Sequence, residues 1–558
     1  MENLDSKMAR QARISNDRVH WFMNDLTSRI IAESGNPNDR FHLGKIMLQS
    51  LKDDPEFIVQ IDGATGETVN SAETLEKTVR CAVAFRNFGL QTGDVVVLMA
   101  PNHVDLAVPL QAALCLGIII AAVDSTLGVN ELQGTFSVDR PKIVFCQSGK
   151  APDIQVVLNA LELDTHIVTF DTGDYLGSFA DFLEQHGDDS PVDDFKPNEF
   201  DPEDTVAFLI ATSGTTGLPK AAAATHKNFA ITGPYWWGRF TDFPAPTRMA
   251  LIGSPLQWLT ALVNFVMSPI LRYTRLQTSQ AMTKDHAYYL INTYRPTYTV
   301  FSPTFMTTLM KPGDREQCDF TCFESLMLGG SAVPNELIAQ IKEVTPATEV
   351  WNGYGMSELT SVGFHTDSPP PGSCGRPMGC FQYRIVDSVT QEDIFEPHVP
   401  GELWIKGPGI FKEYYNNPEA TEETFAEDRW FKTGDTFYRD QYWNFFFVER
   451  IKLLLKYKSN QISPVELENV IRKHPGVLDA AVTGLPDPEC GDLPVACVVR
   501  QPGSDVTAQD IKDLVKESLS DSKQLRGGVI FVSEIPTTAS TKVHRRKLKE
   551  LALAMIRE

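Results

Sequence analysis

This chain predicts an α/β fold. The reading is a large N-terminal domain of layered, doubly wound α/β subdomains that carries a small β-rich subdomain, followed by a small α+β C-terminal domain. Three observations point there. Short apolar runs alternate with segments of helical periodicity through the first 330 residues. From about 370 to 447, glycines, prolines and alternating apolar positions take over. At 558 residues the chain is also too long for a single hydrophobic core and should divide into two or more domains.

In chain order, residues 1–48 read as a polar arm and a first helix. Over 75–88, Leu75, Val79, Ala82, Val83 and Phe85 recur at helical spacing. Gly89 and Gly93 then punctuate the chain before a strand at 95–99. A second helix covers 104–116, and Gly117 ends it ahead of a buried strand at 118–123. Strands at 142–145 and 165–170 continue the alternation expected of doubly wound layers. The acidic, proline-containing stretch 188–204 reads as a surface linker. The rhythm resumes with strands at 249–253, 298–301 and 325–330, and the run 401–406 typifies the β-rich part. A strand at 445–448 leads into Glu449 and Arg450. Beyond it, a helix at 464–473 has Pro464 in its first turn and Glu466 and Glu468 at the end where negative charge is favoured. The main boundary is placed at 449–452, dividing 1–449 from 450–558.

The formal net charge is -22, which argues against a nucleic-acid binder, because such proteins need a basic footprint. The imbalance is uneven. From Arg450 onward there are 17 Lys/Arg against 14 Asp/Glu, so that part is +3 and the preceding residues are -25. A basic tail beside an acidic body suits a lid that meets phosphates, and chance composition accounts for it equally well. The nine cysteines are scattered. Neither close pair, Cys318/Cys322 or Cys374/Cys380, has histidines placed to complete a zinc site, and the pattern suits a reducing compartment. The start lacks an apolar signal segment, and the longest apolar stretch, 112–123, is 12 residues, too short to span a bilayer. With no terminal Ser-Lys-Leu address, the expectation is a cytoplasmic protein without a transmembrane segment.

The most informative segment is Thr212-Ser213-Gly214-Thr215-Thr216-Gly217-Leu218-Pro219-Lys220, after the apolar run 206–211. Small residues let backbone N–H groups converge on an anion, hydroxyls add donors, and Lys220 adds a mobile charge. In the common nucleotide loop the lysine directly follows a glycine; here Pro219 intervenes. ATP chemistry follows, of a kind other than the kinase or ATPase type.

Three further segments share this signature: Asn352-Gly353-Tyr354-Gly355-Met356-Ser357-Glu358, Phe431-Lys432-Thr433-Gly434-Asp435, and Glu449-Arg450-Ile451-Lys452 continuing into Lys456-Tyr457-Lys458. In this order, with 415–421 and 541–547 as further matches, they resemble the acyl-adenylate-forming superfamily of acyl-CoA synthetases, 4-coumarate–CoA ligases and beetle luciferases. The resemblance covers about residues 45–550. It implies a carboxylate attacking the α-phosphorus of ATP, release of pyrophosphate, and an acyl-AMP. A mobile C-terminal domain then rotates, and a thiol, usually that of CoA, displaces AMP. Charge gathering on the phosphates must be met by fixed donors and a cation.

The resemblance assigns roles residue by residue. Ser213, Gly214, Thr215, Thr216, Gly217 and Lys220 match the loop gripping the β- and γ-phosphates. Glu358 matches the glutamate that holds Mg²⁺, and Ser357 the hydroxyl that contacts the nucleotide phosphate. Asn352, Gly353, Tyr354 and Gly355 match a segment flanking the acyl and adenine sites, where a β-carbon would occupy substrate space. Asp435 matches the acceptor of both ribose hydroxyls, and Arg450 a ribose contact that steadies the hinge. Lys542 matches the lysine bridging carboxylate and α-phosphate, where a flexible ammonium lowers the repulsion between two anions. Lys452 sits at the hinge position, and Lys456 faces the site in the thioester-forming orientation. Gly329, Gly330 and Ser331 match a glycine-rich wall, and Trp258 and Val362 join it around the acyl pocket. The aromatic stretch 234–237 reads better as core.

Several positions depart from the family pattern. Gln257-Trp258 stands where many relatives carry a histidine pair; an indole N–H is one donor on a large apolar plate, so a reshaped pocket is expected. Ser459 and Thr541 replace glycines at mobile points. The leading expectation is an ATP- and Mg²⁺-dependent CoA ligase for a hydrophobic, medium- or long-chain fatty acid. The alternatives are a 4-coumarate-type or aryl ligase, a luciferase-like oxygenase, and a catalytically weak nucleotide- or acid-binding homologue.

Overall fold

The computed structural model describes residues 4–555, apart from 172–176, 189, 213–219, 238–242, 245–246, 332, 366–368, 458–459, 488–489, 520 and 538–542; the side chains of 4–17, 452, 456, 460–461 and 522 are likewise outside it. The paired apolar runs build two seven-stranded sheets among the described residues. In the first, the order is Glu413–Tyr414, Lys220–Thr225, Val206–Thr212, Ile119–Ala122, Val95–Met99, Ile143–Cys146 and His166–Thr169. The last five strands are parallel, and a hairpin returns antiparallel from Val206–Thr212 to Lys220–Thr225.

Unbroken apolar runs form these central strands because both faces are buried. Val96 and Leu98 face a core shared with Phe85 and Phe145, whereas Val95, Val97 and Met99 face one built with Phe136 and Ile154. The helix Ser71–Phe88 begins at Asn70 with a reciprocal Asn70–Glu73 capping box. Ala107–Leu116 ends at Gly117, with φ +69° and no room for a side chain, since a β-carbon would lie 2.8 Å from the Phe200 ring.

The second sheet runs Glu349–Gly353, Ser325–Gly329, Tyr298–Phe301, Met249–Leu251, Thr274–Gln277, Ile58–Asp62 and Thr68–Asn70. All neighbours are parallel except the terminal hairpin. Its strand Ile58–Asp62 comes from the start of the chain and pairs Gln60 with Arg275. The expected β-rich part is present as an antiparallel sheet of Gln382–Val386, Gly401–Lys406, Trp430–Arg439, Phe425–Ala426 and Phe445–Arg450. From Leu455 onward the chain builds a further sheet around Val477–Asp487 and Gly491–Arg500, with its own apolar clusters. The large α/β body and the smaller α+β part are as the sequence predicts.

One expectation is corrected. The polar arm is a 31-residue helix, Leu4–Ser34, whose Val19, Met23, Leu26 and Ile30 form a buried stripe at helical spacing among polar neighbours. The described residues of the acidic linker lie mostly at the surface, as expected, and the segment is tied down along one side. Arg86 donates to the Lys196 carbonyl and to Asn198 Oδ1, and His42 Nε2 lies 3.1 Å from the Asn198 carbonyl. No described helix is long and apolar enough to cross a membrane.

Candidate active site

The carboxyl ends of the parallel strands in both sheets open onto one cavity of about 1110 Å³. Asp124 and Thr212 reach it from the first sheet; Ser254, Ser302, Gly329 and Gly353 reach it from the second. Strand ends of parallel sheets are where side chains leave the ladder and backbone groups become free to bind, so ligands gather there.

Lys220 sits at the first position of its strand, opposite Thr212, whose hydroxyl donates to the Lys220 carbonyl at 3.2 Å. Its ammonium lies 4.8 Å from the centre of the Tyr414 ring. The Tyr414 hydroxyl in turn donates to Glu358 Oε1 at 2.7 Å. Glu358 is 6 % exposed. Burial pushes its carboxyl above the usual range, and the Tyr414 hydrogen bond draws it part of the way back. The Phe411 amide donates to the Glu358 carbonyl at 2.9 Å, so segment 411–414 holds both ends of this residue. The Lys220–Tyr414–Glu358 stack thus joins a cation, a hydroxyl and a carboxyl from three distant parts of the chain.

A second group lies beside it. Tyr354 Oη donates to Asp435 Oδ2 at 2.7 Å, and Arg450 Nε is 3.1 Å from Asp435 Oδ1. The Asp435 carboxylate raises the Arg450 pKa; burial and the same carboxylate raise that of Tyr354. Asp435 is 1 % exposed and Arg450 lines the cavity, so the arginine covers the carboxylate. Asn352 donates to Cys374 Sγ at 3.6 Å. Asn352, Tyr354 and Asp435 therefore stand behind the wall, whereas Lys220, Ser357, Glu358, Gly330, Ser331, Trp258, Val362 and Arg450 form it.

At three glycines of this wall the protein itself leaves no room for a side chain. A β-carbon on Gly329 would lie 2.8 Å from the Gly353 carbonyl, and one on Gly355 would lie 2.8 Å from that of Ser361. At Gly353 it would strike Met327 Sδ at 2.3 Å. Neighbouring strands and their side chains exclude it. The aromatic stretch is core, as expected: Trp236 and Trp237 are both buried in the main apolar cluster, Trp237 packs tilted against Tyr273 with ring centres 4.1 Å apart, and Trp236 also borders the cavity. Ser213, Gly214, Thr215, Thr216, Gly217, Ser459, Thr541 and Lys542 lie outside the described residues, as do the side chains of Lys452 and Lys456.

Tyr414 escaped the sequence reading although it immediately precedes the matched segment 415–421; its partners, 56 residues or more away, are brought close only by pairing of Glu413–Tyr414 with Lys220–Thr225. Met282, Phe305 and Ser361 line the cavity with no local signal of their own.

A two-sheet α/β body with a strand-end cleft of this composition, followed by a small α+β unit, defines an enzyme that joins a nucleotide to a second small molecule. The chain matches the AMP-binding enzyme family over residues 49–415 and the AMP-binding enzyme C-terminal domain over 466–542. It belongs to that family, and is an AMP-forming, acid-activating enzyme of the acyl-adenylate-forming superfamily. It is 33 % identical over 500 residues to luciferin 4-monooxygenase of Photuris pensylvanica, covering 87 % of this chain and 90 % of the relative. It is 29 % identical over 507 residues to peroxisomal OPC-8:0-CoA ligase 1 of Arabidopsis thaliana, covering 89 % and 90 %. The crystal structure of ATP-bound MatB from Rhodopseudomonas palustris has the same fold, with TM-score 0.81 and 24 % identity over 92 % of this chain and 98 % of that one.

Proposed function

We propose that the enzyme uses ATP to convert a ring-bearing, largely apolar carboxylic acid into its acyl-AMP, releasing pyrophosphate, and passes the acyl group to the thiol of CoA. The observation that carries this reading is the single cavity in which Lys220 and Glu358 share a wall with Trp258, Phe305 and Val362. Lys220 neutralises phosphate charge as the bond to pyrophosphate breaks, the donors of 213–217 grip the leaving phosphates, and Lys542 screens the acid carboxylate from the α-phosphate. Arg450 faces the ribose, steadied by the Asp435 carboxylate behind it. Lys456 serves the thioester step after the C-terminal part turns about Lys452.

The residues fit Mg²⁺. No group of three or more His, Cys, Asp or Glu converges among the described residues. Glu358 accepts the Tyr414 hydroxyl through Oε1 and lines the cavity. A lone carboxylate oxygen suits an ion that completes its shell with phosphates and water. When bound, it supplies charge neutralisation at the leaving phosphates. A ring-bearing acid is favoured over a straight-chain fatty acid by the aromatic wall and by the relatives, which include luciferin monooxygenases and 4-coumarate–CoA ligase-like proteins.

The test is pyrophosphate release and CoA-thioester formation across aromatic acids and aliphatic acids of graded length, in the wild type and in Lys542→Ala. Aromatic acids should lead, and the substitution should cut adenylation by about 100-fold, since such charge contacts act mainly in the transition state. Release without thioester would remove CoA as the acceptor, light emission with a luciferin would favour the oxygenase reading, and no release from any acid would refute the proposal.

A further inference from the structure

The seam between the body and the C-terminal part holds a buried carboxylate that none of the proposed steps uses. Glu449 lies in the body's strand Phe445–Arg450, directly before the cavity-lining Arg450, and is 2 % exposed. That strand packs against the helix Pro464–Ile471 of the C-terminal part. Proline at the first helical position has no N–H to satisfy. The Glu466 amide is met locally by the Ser463 hydroxyl at 3.3 Å. The Val465 amide instead donates across the seam to Glu449 Oε2 at 3.3 Å. The Ser463 hydroxyl lies 3.5 Å from the same oxygen, and the Arg450 amide donates to Glu449 Oε1 at 2.9 Å. The body thus supplies part of the cap of a helix in the C-terminal part, with the charge that a helix N-terminus favours. Burial pushes the Glu449 carboxyl above the usual range; the Arg450 amide and Arg545 favour its ionised form, and Glu468 opposes it.

We propose that Glu449 is a positioning residue, a latch that holds the C-terminal part in the orientation serving acyl-AMP formation and opens for the thioester step. The inference rests on the two-step reading above and deepens it. Glu449 and its donors at 463–465 stand on opposite sides of Lys452, so a large turn about that residue pulls them apart. Arg450, on the next residue, meets Asp435 at 3.1 Å in the same arrangement, so closing the latch also seats Arg450 on the nucleotide side of the proposed site. All three groups facing Glu449 are donors, and a carboxylate accepts through both oxygens. Glutamine has the same shape but must turn its NH₂ toward one of them, which opens the latch with little change of volume.

The test separates the two half-reactions. Single-turnover acyl-AMP formation from ATP and the best acid of the panel above should fall by about 10-fold in Glu449→Gln, while transfer from preloaded acyl-AMP to CoA should hold or rise. Glu449→Asp, which keeps the charge, should recover part of the first step. Equal losses in both steps would mark a purely structural role, and no loss in either an idle one; each overturns the inference and leaves acid activation intact. A second readout needs no acid. With ATP present, amide hydrogen exchange over 463–470 should be about 10-fold slower in the wild type than in Glu449→Gln, with the strands Val477–Asp487 and Gly491–Arg500 unchanged. Equal exchange over 463–470 refutes the latch even if no acid of the panel reacts, whereas a protected segment with no reacting acid refutes the functional reading alone. If Glu449→Gln does not fold, the wild type decides: CoA added to preloaded acyl-AMP should speed exchange over 463–470, and no change refutes the latch.

Discussion

Tyr414→Phe isolates one hydrogen bond at the centre of the site. The phenyl ring remains beneath Lys220, whose ammonium lies 4.8 Å from its centre, and only the donor to Glu358 Oε1 at 2.7 Å is lost. Burial already drives the Glu358 carboxyl upward, and this hydroxyl favours its ionised form. A hydrogen bond to a charged group contributes about 1.5–3 kcal/mol. Its removal raises the Glu358 pKa further. With Glu358 as the proposed Mg²⁺ ligand, activity falls as pH drops through that pKa. The acid limb of the pyrophosphate-release profile should therefore move to higher pH, with a higher Mg²⁺ half-saturation near neutrality. The assay is kcat/KM for ATP from pH 5 to 9 at saturating acid, with Mg²⁺ titrated at each pH. A limb that stays within about 0.3 unit of the wild type, with unchanged Mg²⁺ dependence, would show that Tyr414 does not tune Glu358.

Three other outcomes follow from the same geometry. Glu358→Gln should abolish adenylation yet raise the melting temperature at pH 7.5: burial holds the folded carboxyl pKa above its ordinary value, so stability drops as pH rises between the unfolded and folded values, and the variant's advantage should shrink on acidification. A variant that melts lower than wild type at every pH would contradict this. Asp435→Asn keeps an acceptor for Tyr354 but strips Arg450 of its carboxylate partner at 3.1 Å; the KM for ATP should rise by about 10-fold with the acid KM little changed, and the reverse pattern would remove Asp435 from the nucleotide side. Gly355→Ala places a β-carbon 2.8 Å from the Ser361 carbonyl and should cost about 1–3 kcal/mol in denaturant unfolding; an unchanged midpoint would mean that the strand pair yields freely.

Local pattern was enough for most elements of the body. The helix Ser71–Phe88 declares itself by apolar spacing, Asn70–Glu73 and Gly89, and Val95–Met99 by an unbroken apolar run. The extent of the first helix, Leu4–Ser34, was not legible because its buried stripe is sparse, one residue per turn among charges. Of the site, the ordered segments ending in Lys220, Glu358, Asp435 and Arg450 were legible because each is contiguous and chemically unusual. The position of Asp435 behind Arg450 was not, since a spacing along the chain says nothing about which side chain covers which.

By itself the sequence determined an AMP-forming α/β enzyme: strand and helix periodicities are set within a few residues, and its phosphate-handling segments carry their chemistry wherever they are placed. Only the tertiary structure decided that Ile58–Asp62 pairs with Thr274–Gln277, and that Glu413–Tyr414 pairs with Lys220–Thr225. Those registers depend on burial summed over the whole fold. That second pairing sets the Tyr414 hydroxyl against Glu358, and packing of Gly233–Trp237 on Ser361–Val362 joins that turn to the cavity wall. Partners hundreds of residues apart are chosen by which arrangement buries the most apolar surface while pairing the most backbone, a sum that no local window contains.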